Sequence, residues 1–120
     1  MAASVITPAV TAHHGGVGKW QIVFGTLAVA AGDYATGGLT VSFANNAEIK
    51  SGSVPVGGHV EGIAGYIYRY VPGATKNVGK LMIFQDSGGA TPLAELAAAA
   101  TPGAVVADTI RFMAFFPLFR

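Results

Sequence analysis

From Lys19 onward, apolar residues recur at every second position, the period of a β-strand rather than of a helix. Trp20, Ile22 and Phe24 share one face. After Gly25, Leu27 and Val29 resume on the opposite parity, which predicts a β-bulge or sharp bend at the glycine. The segment "GDYATGG" (Gly32 to Gly38) reads as a turn. Leu39, Val41 and Phe43 then alternate with Thr40, Ser42 and Ala44 as a half-buried strand.

Asn45 to His59 is loop-like, with a short strand expected around Glu48 to Lys50. Glu61 to Gln85 reads as a hairpin. Its first strand, Tyr66 to Val71, puts Tyr66, Tyr68 and Tyr70 on one face and Ile67, Arg69 and Val71 on the other. Pro72-Gly73 turns the chain, and Lys80 to Phe84 returns. In Thr91 to Ala100 the alanines favour helix, but Pro92 and Pro102 bracket the segment and Leu93 and Leu96 make a poor stripe. A short strand running into a loop is expected there. Asp108 to Phe119 is apolar on both faces, as a central or covered strand would be. The pattern predicts an all-β fold, a single small β-barrel or sandwich over residues 19–120.

Residues 1–18 carry no strong core pattern, and Pro8 interrupts any helix, so an extended N-terminal arm is expected. Val5 and Val10 are its candidate contact residues, and Gly15, Gly16 and Gly18 would be the hinge that aims it away from the domain. The arm is expected to be disordered unless docked, because ordering it costs entropy. Its start has neither a basic residue run nor a continuous apolar region, so no signal peptide is expected.

Composition sharpens this picture. Only 11% of residues are charged while 52% are hydrophobic, against about 25% charged in a typical soluble domain. The best apolar run, Ile22 to Gly32, stops at Asp33, well short of the ~20 residues a membrane helix needs. A folded chain with so few charges has trouble covering its own surface, so contact with other chains is expected. The net charge of +1, with dispersed basic residues, gives no footprint for nucleic acid. There is no cysteine, hence no disulfide framework and no thiolate metal site.

Candidate chemistry is thin. "HHGGVGKW" looks like a phosphate-cradling loop, but His13 stands where the first glycine belongs and Trp20 where a Ser or Thr would hold magnesium. The order of loop and strand is also reversed, so a glycine hinge is the better reading. His13 and His14 are adjacent and point apart in an extended chain, so they do not chelate one metal. His59 and Glu61 have a legitimate ligand spacing but no third ligand nearby in sequence. The serines form no nucleophile elbow. No catalytic residue, cofactor or metal is assigned, and an enzyme is not expected. Tyr66, Tyr68 and Tyr70 suit a core or a subunit interface, or alternatively a platform that stacks sugars or bases. "FFPLFR" is hard to leave in water: Phe115, Phe116, Leu118 and Phe119 are expected to fold back or to meet a neighbour.

Taken in order, "GDYATGGLTVSF", "GYIYRYVPGATKNVGKLMIFQ" and "PLAELAAAATPGAVVADTIRFMAFF" resemble small head proteins of tailed bacteriophages. They are similar to capsid decoration, or cement, proteins over residues 19–117, in turn-and-strand pattern. The Ala/Gly-rich N-terminus and the "PLFR" ending depart from that pattern. The resemblance implies a β-rich virion protein on the outer surface of the capsid, a homotrimer that clamps neighbouring subunits of the major capsid protein. Two other roles fit the residues: a tail or head-fibre component with a tyrosine-lined glycan site, and a small β-barrel metal-dependent enzyme using His59 and Glu61.

Overall fold

Among the described residues, eight strands and one helical turn follow each other: β1 (Ala9–Val17), β2 (Trp20–Leu27), β3 (Leu39–Val41), β4 (Gly57–Glu61), β5 (Ile67–Val71), β6 (Gly79–Gln85), β7 (Ala94–Glu95), α1 (Gly103–Val106) and β8 (Ile110–Pro117). The computed structural model describes residues 5–17, 20–44, 49, 54–55, 57–85 and 93–117. Two antiparallel sheets form, one in the order β1-β2-β8-β4 and one in the order β3-β6-β5, with β7 added to β6. The fold is all-β, a sandwich of two open sheets. The expected strand around Glu48 to Lys50 falls largely outside the described residues.

One core joins the two sheets. Val23, Leu27, Ile110, Phe112 and Phe116 come from the first sheet, and Leu39, Val41, Tyr68, Leu81 and Ile83 from the second. Phe43, just past the end of β3, packs edge-on against Phe112, Phe116 and Tyr70, with ring centroids 5.8, 5.2 and 6.2 Å away. Such edge-to-face contacts suit the charge distribution of aromatic rings. β8 is central, as its apolar faces imply, with β2 on one side and β4 on the other. The β5–β6 hairpin turns at Pro72-Gly73 as the sequence implies, with Tyr70 opposite Leu81 and Tyr68 opposite Ile83. β7 is the short strand expected before a loop. α1, one turn after Pro102, had no periodic signal.

β2 corrects the parity reading. Its inward face is Gln21, Val23, Gly25 and Leu27, so Trp20, Ile22 and Phe24 point outward. The β2–β8 register runs from Trp20↔Pro117 to Leu27↔Ile110 with no interruption, and Gly25 marks no bulge in its own strand. The irregularity sits in the partner: β1 shifts register between Val10 and Ala12, opposite Gly25 and Phe24. A Cβ on Gly25 would run into the carbonyl oxygen of Ala9. The glycine serves close backbone approach.

The N-terminal segment corrects the arm reading. It is extended, but it is part of the sandwich. Ile6 is 1% exposed; its N–H donates to the Thr40 carbonyl at 2.7 Å, and its own carbonyl accepts from the Ser42 N–H at 2.9 Å. After Pro8 the chain crosses to the other sheet and runs as β1 along β2. Gly15 and Gly16 therefore lie inside a strand, and Val17 pairs with Trp20 across the hairpin that follows. Of the stretch that resembled a phosphate loop, His13 to Val17 lie in β1 and Trp20 opens β2. The sequence hid this because an edge strand of Ala, Thr and Gly shows no alternation of large apolar residues.

Candidate functional site

The outward face of the first sheet is unusually apolar. Register places Ile22 beside Phe115 and Phe24 beside Met113, with Trp20 at the end of the row beside Pro117. Trp20 is 45% and Phe24 39% exposed, while Met113 and Phe115 are half-buried. Gly57 lies across from Phe115 on the β4 side and adds no side chain, so Trp20, Ile22, Gly57 and Phe115 line a shallow hollow. The next positions toward the other end turn polar: His59 neighbours Met113, and Glu61 neighbours Arg111. Contiguous exposed apolar patches of this kind mark interaction surfaces. The signal for this face was present in the sequence as apolar residues on both faces of β2 and β8.

The interface candidates separate once placed. Phe115 belongs to the outward row, and Val5 is 61% exposed. Val10 packs against the core with Tyr66 and Tyr70, all partly buried. Tyr68 and Phe116 are corrections: they are 6% and 0% exposed, core side chains with nothing to offer a partner. Alternation explains both, since Phe116 follows outward Phe115 and Tyr68 faces Ile83 across the hairpin. Leu118 and Phe119 lie outside the described residues.

Two tyrosine–carboxylate pairs anchor the polar interior. Tyr34 donates its hydroxyl to Glu95 Oε2 at 2.5 Å, and Glu95 also accepts the Gly37 N–H at 2.8 Å. The same hydroxyl accepts the Ile83 N–H at 3.2 Å. Ile83 lies on β6 between the partners of β3 and those of β7. Tyr34 therefore fills a gap in the ladder. Burial, reinforced by the Glu95 hydrogen bond, pushes its phenol up to about 12.

The second pair joins β5 to the entry of β8. Tyr68 donates to Asp108 Oδ2 at 2.6 Å, and Asp108 Oδ1 accepts the N–H groups of Ile63 and Ala64 at 2.9 and 3.1 Å. Burial alone would raise the Asp108 carboxyl. The hydrogen bonds from Tyr68 and from the backbone of Ile63, Ala64 and Thr109 outweigh it and hold the group below its ordinary value. Burial first, then Asp108, pushes the Tyr68 phenol far up. A Cβ on Gly62 would collide with the Asp108 carboxylate, so the loop closes on this acid only with glycine there. These pairs are structural: each carboxylate is spent on loop backbone and a core tyrosine.

Between β4 and β5 a cleft of about 540 Å³ opens at the side of the sandwich, with Tyr66, Tyr68 and Tyr70 along one wall and Gly58 to Glu61 along the other. His59 and Glu61 do share the outward face of β4 and are exposed. Among the described residues, no group of three His, Cys, Asp or Glu side chains is placed to hold a metal ion. Among those residues no helix is long and apolar enough to cross a membrane. No family model matches the chain, and no curated protein or solved structure matches it.

Proposed function

We propose that the chain is a virion structural protein, a homotrimeric decoration protein that stabilises a tailed-phage head by clamping neighbouring major capsid subunits. The observation that carries the proposal is the outward row Trp20, Ile22, Phe24, Met113 and Phe115 on one sheet face. Covering such a row removes apolar area from water at about 25 cal/mol per Å², and closed symmetric self-association is the usual way small chains cover it. The low charge fraction supports the same reading, and the phage resemblance supplies the shell as partner. The role needs rigidity and contact surface, not catalysis, cofactor or metal.

Sedimentation of the purified chain at micromolar concentration tests self-association, and co-sedimentation with empty expanded heads tests the decorating role. Trimers that bind heads are expected. A clean monomer that ignores heads would sink the proposal. The fibre reading, with a tyrosine-lined glycan site, draws on the cleft beside Tyr66 and Tyr70. It is weakened by Tyr68, whose ring is buried and whose hydroxyl is committed to Asp108.

A further inference from the structure

We infer that copies of the chain join knob into hollow: Ile63 of one copy seats in the hollow lined by Trp20, Ile22, Gly57 and Phe115 of the next. The inference rests on the proposed trimer and names the two surfaces that close it.

The knob is held in place. At 74% exposure, Ile63 is the most exposed large apolar side chain among the described residues. Its backbone is nevertheless clamped. The N–H groups of Ile63 and Ala64 both donate to Asp108 Oδ1, at 2.9 and 3.1 Å. Gly62 packs so closely on the same carboxylate that a Cβ would collide with it. Gly65 closes the turn at φ +94°, where glycine is favoured. An apolar side chain presented on a fixed turn has little ordering cost left when a partner covers it, and such preorganised anchors dominate interfaces.

The hollow matches the knob in chemistry. Its volume is about 450 Å³, and none of its four lining residues is charged. The turn Gly62-Ile63-Ala64-Gly65 is uncharged as well. Seating one in the other buries apolar surface and takes no charge out of water. The hollow is open on the β4 side because Gly57 has no side chain. A Cβ there would meet nothing closer than the Phe115 ring, at 4.0 Å. The backbone at Gly57 therefore tolerates a side chain, and what a side chain would take away is the hollow itself.

Placement selects a second copy as the occupant. Gly57 opens β4, and Ile63 lies two positions past its end. At the usual rise per residue the two are about 20 Å apart, beyond the reach of a side chain. Ile63 therefore cannot fill the hollow of its own chain. Every copy carries one knob and one hollow at separate places, as a head-to-tail contact requires. A three-fold axis never brings the same patch of two copies together, so a trimer must join two different patches. Stacking the outward row on itself is a two-fold contact and ends at a dimer.

The chain has no cysteine, so engineered ones report the contact without background. Gly57→Cys and Ile63→Cys are treated with a short bis-maleimide, each alone and after the two are mixed dilute and concentrated together. Cross-linked pairs are expected in the mixture and in neither variant alone. Ile63→Ser, which removes the knob, and Gly57→Leu, which fills the hollow, should each move the monomer–trimer midpoint to at least about tenfold higher concentration in sedimentation. The cysteine mixture decides the matter even where Gly57→Leu disturbs β4. A trimer that persists in both variants, or cysteine variants that cross-link as well alone as mixed, overturns this inference and leaves the trimer standing. A wild-type chain that stays monomeric overturns the trimer and this contact together.

Discussion

The Tyr68 hydroxyl donates to Asp108 at 2.6 Å across 40 positions of sequence, and this bond ties β5 to the segment that leads into β8. Because Asp108 also holds the Ile63 and Ala64 N–H groups, one carboxylate fixes the β4–β5 loop and so the end of the cleft. Asp108→Ala leaves a buried phenol and loop N–H groups without their acceptor, at a cost of about 1–3 kcal/mol. The native carboxyl titrates below its ordinary value of 3.8. Its contribution is therefore complete above that value and is lost as pH falls through the lower native one. Melting of the wild type and of Asp108→Ala, followed from neutral into acid, should show the gap between them narrowing only at the acid end. A gap independent of pH would refute the assignment.

Tyr70 makes the opposite case on the same strand. Its hydroxyl is buried against Gly79 and has no hydrogen-bond partner, and burial pushes its phenol up to about 12. Removing an unsatisfied buried hydroxyl costs nothing in lost bonds, so Tyr70→Phe should be neutral or stabilising by up to about 1 kcal/mol. Tyr68→Phe, by contrast, discards a bond to a carboxylate and should destabilise by about 1–3 kcal/mol. Chemical denaturation of the two variants checks the contrast, and equal effects would contradict it.

Gly25 lies where two backbones and a ring converge. A Cβ there meets the Ala9 carbonyl oxygen, with the Phe112 ring at 2.8 Å. Gly25→Ala forces β1 away from β2 or Phe112 from its rotamer, at about 1–3 kcal/mol for such overpacking. Hydrogen exchange should show the loss concentrated in β1 amides. Unchanged protection there would mean the neighbours yield freely.

How legible the fold was depended on whether a strand had one wet face. β3 and the β5–β6 hairpin were readable because Leu39 and Val41, or Tyr68 and Tyr70, alternate with polar or exposed positions and Pro72-Gly73 turns the chain. β2 carries apolar residues on both faces, so the alternation that identifies a strand could not say which side is inside. β1 failed for the opposite reason, having too little large apolar surface to show any period. The polar anchors were out of reach: Tyr34 and Glu95 lie 61 positions apart, and Tyr68 and Asp108 lie 40 apart. Only the folded sheets bring them together. The tyrosine ladder was visible as a shared face, but its division into buried Tyr68 and partly buried Tyr66 and Tyr70 depends on how the other sheet packs over each of them.

Trp20 and Phe115 define the outward face without holding the core. Trp20→Ser with Phe115→Ser should lower stability by only about 1–2 kcal/mol and leave folding cooperative, since Phe115 is half-buried and the pair lies outside the core. The same pair should shift the proposed trimer toward monomer in sedimentation. A variant that stays fully assembled would move the self-association surface elsewhere.

Deleting Met1 to His14 would have left the domain intact had these residues formed a detached arm. The structure changes the expectation, because Ile6 is fully inside the core and Ala9 to His14 pair with β2. Ile6→Ala alone should cost about 2–5 kcal/mol, the range for removing a large aliphatic side chain from a packed interior. The deletion adds the loss of an edge strand and of the two hydrogen bonds that clasp Ile6 between Thr40 and Ser42. It also uncovers β2, whose backbone would become a new sheet edge and a template for aggregation. Total stability of a domain this size is about 5–15 kcal/mol, so the truncated chain should melt far below the full chain or fail to fold cooperatively. Thermal melting and light scattering of the full chain, Ile6→Ala and the truncation provide the check. If the truncated chain melts cooperatively at the temperature of the full chain, β1 and Ile6 are not integral to the sandwich.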